Sequence, residues 1–201
     1  MSKVRLNLFH EKEREKESMR KQPIQKKILL LLLAFAMTLT LAACGGTPDD
    51  PSKVKGETFD AGNVSALTPK GWKAFPVSDF FDEYEGDNDP NAMQICKDAD
   101  SEWDLFSKPY IQINYYGPET SFYSSKDLYD DVEDIESFTL GNYTWNGYNC
   151  TSLDYPYTIL ETTDGDISIQ VNILKKSSGN LEIALEDAEV QAIISSITVT
   201  E

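Results

Sequence analysis

The stretch "ETTDGDISIQVNIL", residues 161–174, decides the fold class. Ile167, Ile169, Val171 and Ile173 alternate with Ser168, Gln170, Asn172 and Leu174, a period of two that belongs to a strand with one buried face. Asp164-Gly165 ahead of it, and Asn146-Gly147 in "NYTWNGYNC" (142–150), are dipeptides that suit type I′ hairpin turns. Downstream, the "KKSSGN" loop (175–180) leads to Leu181, Ile183 and Leu185, which read as a further strand. The expectation is an antiparallel meander.

Elements on either side complete the pattern. "NVSALTPKGWKAFP" (63–76) reads as strand, turn, strand, with Pro69 and Gly71 in the turn, and "AMQIC" (92–96) and "YIQINYYG" (110–117) are strand-like. Ile111 and Ile113 share one face there, Gln112 and Asn114 the other. "SSKDLYDDVEDI" (124–135) has Leu128, Val132 and Ile135 at i, i+4 and i+7 behind Ser124, the signature of a capped amphipathic helix. "EDAEVQAIISSI" (186–197) places Asp187 to cap a last helix whose Val190, Ile193, Ile194 and Ile197 form one stripe, which must pack on the sheet.

The opening "LTPKGW" (67–72), a central helix before an Asn-Gly hairpin, a strand meander and a closing "VQAIISSI" (190–197) helix together resemble the PsbP-like domains, including those attached to small bacterial lipoproteins. The resemblance spans roughly residues 56–200. It implies an α+β fold in which an antiparallel sheet meander is covered by helices. It implies no catalytic residues, because such domains are mostly accessory or scaffold domains.

The N-terminal part has a different character. Lys26 and Lys27 precede an apolar run from Ile28 to Ala43, and Leu41-Ala42-Ala43-Cys44 has the pattern of a lipobox. The run is shorter than the roughly 20 residues of a membrane span, and a basic flank, a short apolar core and small residues at the end make a secretory signal. Residues 1–43 are therefore expected to be a signal peptide with an N-terminal extension, translation starting at Met19. Cys44 becomes the lipidated first residue, "GGTPDDPSKVK" (45–55) a linker, and 56–201 one domain. The expected location is the extracytoplasmic face of a bacterial membrane, held by a diacylglyceryl anchor. Extended, that linker reaches at most roughly 40 Å, so the domain stays close to its membrane.

The whole chain has 18 basic and 34 acidic residues, and residues 1–43 contain 9 and 4 of them. Residues 44–201 therefore have 9 and 30, and 9 minus 30 is a net of −21. Arg5, Arg14, Arg20 and His10 all lie before Cys44. A domain with neither Arg nor His, and few lysines, cannot offer nucleic acid a basic face. It also lacks the means for His-based nucleophilic catalysis or His-ligated zinc. The expected role is non-catalytic binding or scaffolding, with an envelope protein as a candidate partner. The alternative is a carboxylate-based hydrolase of envelope glycans, although no pair of acids is singled out.

Three further features carry chemistry. Cys96 and Cys150 either pair in a compartment that permits disulfides or remain separate buried thiols. Asp98, Asp100, Glu102 and Asp104 recur at every second position of "DADSEWD". Trp103 and Pro109 stand where an EF-hand needs Gly and Glu, so that family is rejected. Weak Ca²⁺ binding remains an expectation, shared with Asp82, Glu83, Glu85, Asp87 and Asp89 across the "AMQIC" strand. No other cofactor is expected. Trp72, Trp103 and Trp145 read as core or hairpin residues rather than a sugar platform.

Two acyl chains hold a protein on a membrane where one is marginal. The Cys44→Ala variant should therefore leave the detergent-extractable membrane fraction, as soluble protein or unprocessed precursor. Processed, membrane-bound variant in that fractionation would exclude the lipobox reading.

Overall fold

The computed structural model describes residues 49–80, 83, 87–118 and 120–200. The expected signal segment and Cys44 lie outside them. Thr47–Glu201 form one compact unit. Among the described residues ten strands make two antiparallel sheets. The first is small, with order β1-β2-β10, from β1 (Gly56–Asp60), β2 (Val64–Pro69) and β10 (Thr198–Val199). The second has seven strands in the order β3-β4-β5-β9-β8-β7-β6. They are β3 (Trp72–Ser78), β4 (Asn88–Lys97), β5 (Tyr110–Tyr116), β6 (Asp130–Leu140), β7 (Tyr143–Ser152), β8 (Tyr155–Asp164) and β9 (Ile167–Leu174).

The meander expected from the alternating pattern is present, and β9 lies between β5 and β8. Cross-strand pairs define the core face. Ile95, Ile111 and Ile173 stand in one row and Met93, Ile113, Val171 and Leu160 in the next. All seven are fully buried. The helix α1 (Ala188–Ser195) closes this face with Val190, Ile193 and Ile194, and Ile197 just beyond it, together with Val64 and Ala66 of β2. In the first turn of α1, Glu189 accepts hydrogen bonds from Trp72 Nε1 at 3.1 Å and Lys97 Nζ at 2.9 Å. The Lys97 ammonium also lies 5.3 Å from the Trp72 ring centroid, so one carboxylate ties the helix to β3 and β4.

Several expectations need correction. The stretch 124–135 is not a helix: a short 3-10 turn (Lys126–Leu128) runs into β6. β6 loses register with β7 between Asp130 and Glu133 and again between Ile135 and Phe138. Each bulge adds one residue, so the half-buried Val132, Ile135 and Phe138 recur every third position and imitate a helical stripe. Asp131 takes a positive φ of 51° at the first break. Helix cover is thus smaller than expected: among the described residues α1 is the one α-helix, and the small sheet shares its role. No described helix is long and apolar enough to cross a membrane.

Asn146-Gly147 is not a turn either. Gly147 sits inside β7 opposite Leu160 and Ile135, and a Cβ there would lie 2.8 Å from Leu160 Cδ2. The β6–β7 turn uses Gly141-Asn142, where Gly141 has φ 65° and a Cβ would lie 2.5 Å from the Ser195 carbonyl oxygen. The Asp164-Gly165 hairpin exists one residue later, because Asp164 pairs with Ile167. Gly165, at φ 59°, takes the first loop position, which suits a type II′ turn. Lastly, residues 181–185 join through a single Lys176–Glu182 bridge rather than a strand, although Ile183 is buried. Asp187 does precede α1, but its carboxylate accepts from the Ala184 N–H at 2.9 Å instead of capping the helix.

The type I′ geometry appears where the sequence does not advertise it. Ser152 pairs with Tyr155, and Leu153 and Asp154 between them have φ of 50° and 68°. A left-handed Leu costs about 1–2 kcal/mol. Leu153→Asn/Asp154→Gly should raise stability by about 1 kcal/mol, a melting-temperature gain of roughly 2–4 °C. An unchanged or lower melting temperature would count against strain at this turn.

Candidate functional site

The second face of the large sheet is polar and aromatic. One row holds Cys96, Tyr110, Leu174, Tyr157 and Cys150, and the next Gln94, Gln112, Asn172, Ile159 and Tyr148. A third row holds Asn114, Gln170 and Glu161. Side-chain amides link across it: Gln94 Nε2 donates to Gln112 Oε1 at 3.2 Å and Gln112 Nε2 to Asn114 Oδ1 at 2.9 Å. Glu161 accepts from Tyr148 Oη at 3.2 Å and Gln170 Nε2 at 3.1 Å. Asn172 Oδ1 is buried without a hydrogen-bond partner. Burial pushes the phenols of Tyr110, Tyr116, Tyr148 and Tyr157 above their ordinary range, so they stay neutral donors and acceptors near pH 7.

At the β3–β4 end this face deepens into a groove of about 450 Å³. Gln94 and Tyr110 contribute from the sheet, Pro76, Val77, Ser78 and Phe80 from one side, and the turn Glu102–Phe106 from the other. Register breaks between Pro76 and Val77, where β4 carries Pro90, Asn91 and Ala92 without a counterpart on β3, so the regular ladder is interrupted at this end. Trp103 is 80% exposed and Phe106 77%, with centroids 6.0 Å apart and planes tilted by 32°.

The acidic stretch builds the loop that presents these rings. Asp104 Oδ2 accepts from the Asp100 N–H at 2.7 Å and the Ser101 N–H at 3.1 Å, and Oδ1 pairs with Lys108 at 3.2 Å. Those backbone donors, with Lys108, hold its carboxyl below the ordinary carboxylate range. Lys108 and Lys73 bond the carbonyls of Asp98 and Asp100. The four acids expected as calcium ligands do not converge: among the described residues no three Asp, Glu, Cys or His side chains come together. Nor does β4 join the two acidic loops. Asn88 and Lys97 are its opposite ends, about 30 Å apart at the rise of a strand. Asp82 and Glu85 lie outside the described residues.

The disulfide expectation also meets the topology. Cys96 on β4 and Cys150 on β7 are separate buried thiols with three strands between them. Four inter-strand steps are roughly 19 Å, far beyond the reach of a disulfide. Of the three tryptophans, Trp72 and Trp145 are core, whereas Trp103 is exposed. The signal for it was present: Trp103 and Phe106 are three apart in an otherwise acidic loop between strands.

A second cleft of about 520 Å³ lies between β1 and the β2–β3 turn, lined by Lys55, Lys70 and Lys73 among others. At one edge of it Gly56 fits against Thr68 only because it has no Cβ.

No protein-family model and no curated protein matches the sequence. Among solved structures, one from Bacteroides thetaiotaomicron is similar over 73% of this chain at 12% identity and a TM-score of 0.40. The match spans about half (49%) of that chain. The solution structure of cyanobacterial PsbP (CyanoP) from Synechocystis is similar over 80% of this chain and 99% of its own, at 13% identity and a TM-score of 0.39. Neither likeness assigns a role to a residue.

Burial raises both thiols to about 11 from 9.0. In protein truncated to begin after Cys44, neither should react with a thiol reagent at pH 8 until the protein is unfolded, when both should. Because the folded values are raised, stability from the neutral thiols is complete below about 9 and is lost as pH rises through about 11. The melting temperature should therefore fall across that window. Rapid labelling of native protein at pH 8 would contradict this burial.

Proposed function

We propose that this chain is a binding module of the bacterial cell envelope, lipid-anchored through Cys44 and displayed on the extracytoplasmic face of its membrane. One observation carries the binding role. Trp103 and Phe106 stand side by side in solvent over a groove with a polar floor. Exposing large rings forgoes the 1.5–3 kcal/mol that burying such a side chain contributes, about twice over, and the fastened 102–106 turn holds them there. The lipobox sequence and short apolar run support the anchor.

The groove supports binding better than hydrolysis. Carboxylate-based glycoside cleavage needs two facing acids, and Glu102 is the one carboxylate among the described lining residues. Fold alone decides nothing between the two.

Photo-crosslinking in intact cells tests the proposal. A benzoylphenylalanine at position 106 of the lipid-anchored protein should give an adduct of higher mass, and one at Leu153, on the β7–β8 turn, should give none. Absence of an adduct at 106 would remove the binding reading.

A further inference from the structure

We infer that the groove binds a neutral glycan, with pyranose faces laid on Trp103 and Phe106 and hydroxyls met by the amides of Gln94, Gln112 and Asn114. This rests on the binding-module reading and specifies its ligand.

The groove itself sets demands on an occupant. Its wall is apolar: Trp103, Phe106, Leu105, Pro76 and Val77. Its floor continues into the amide ladder from Gln94 through Gln112 to Asn114. A side-chain amide offers two donors and two acceptor lone pairs, so single bonds along the ladder leave capacity on each member. An apolar occupant, whether a lipid surface or a greasy peptide, would seal these half-buried amides from water without pairing their remaining donors and acceptors, at a cost of the order of 1–3 kcal/mol each. An occupant dense in hydroxyls would satisfy them.

Charge narrows the class. Glu102 is the one charged residue among the described residues lining the groove, so a cationic ligand, although drawn by the acidic excess of the whole domain, has a single local carboxylate to pair with there. A chain of net −21 beyond residue 43 repels an anionic ligand, and equally a second copy of itself. A neutral ligand is indifferent to that field.

The rings supply the remaining specification. A pyranose has one face of C–H groups, which matches the negative face of an aromatic ring. Trp103 and Phe106, 6.0 Å apart and within 32° of parallel, make neighbouring platforms on the scale of one sugar unit. A saccharide combines an apolar face, a hydroxyl rim and no charge, which are the three properties required here.

The test is affinity electrophoresis of the processed, lipid-anchored protein in a polyoxyethylene detergent, through native gels containing hydroxyethyl cellulose, galactomannan or pullulan. Polygalacturonate serves as the anionic comparison. Retardation by at least one neutral polymer is expected, weakened about tenfold or more in Trp103→Ala, Phe106→Ala and Gln112→Ala. Trp103→Tyr, which keeps a stacking ring, should retain most of it, and melting temperatures of the ring variants should match wild type. No retardation by any neutral polymer overturns the glycan assignment. So does retardation that survives Trp103→Ala or is equally strong with polygalacturonate. If the cellular adduct at position 106 persists while these gels are negative, the binding reading stands and its ligand is of another class. Loss of both removes both.

Discussion

The structure depends on closing one apolar face of a seven-stranded sheet. That face presents Ile95, Ile111, Ile113, Ile169, Val171 and Ile173, all fully buried, and α1 together with the small sheet covers it. Val190, Ile193, Ile194 and Ile197 supply the cover from the last helical segment, again with no exposure. At about 1.5–3 kcal/mol for each buried side chain, this stripe is comparable with the entire net stability of a typical domain. The chain must therefore return from the end of β9 to its own beginning, and β10 does so by pairing with β2. Glu189 fixes the helix in register through Trp72 and Lys97.

Covering one face leaves the other to be solved differently. The chain fills it with tyrosines and side-chain amides that bond one another, and lays two connecting segments over its ends. Ser125, between β5 and β6, reaches Gln170, while the turn 102–106, between β4 and β5, carries Trp103 and Phe106. The candidate groove arises where the second of these meets the irregular end of the β3–β4 pair. The acidic stretch 98–104 has a structural part in this, since Asp104 commits its oxygens to two backbone N–H groups and to Lys108. Crowded carboxylates can thus fasten a loop when backbone donors and lysines converge on one of them.

Alternation at 167–174 and the stripe at 190–197 determined, from sequence alone, an antiparallel sheet with an apolar core face and a helix packed on it, whereas the burial of Ser168, Gln170 and Leu174 on the opposite face of the same strand was not legible there. These signals are local: side chains two apart on a strand, or three and four apart on a helix, share a face whatever the rest of the chain does. What only the tertiary structure decided is non-local. Bulges in β6 repeat its apolar residues every third position, and bulges exist only relative to a partner strand. Gly147 is inside a strand because Leu160 and Ile135 need the space of its missing Cβ, while the type I′ turn falls on Leu153 and Asp154, whose identities give no such signal. Cys96 and Cys150 are held apart by strands inserted from later in the chain. Trp103 is exposed where Trp72 and Trp145 are buried, because burial of a ring depends on which elements arrive above it, and spacing along the chain carries no record of that.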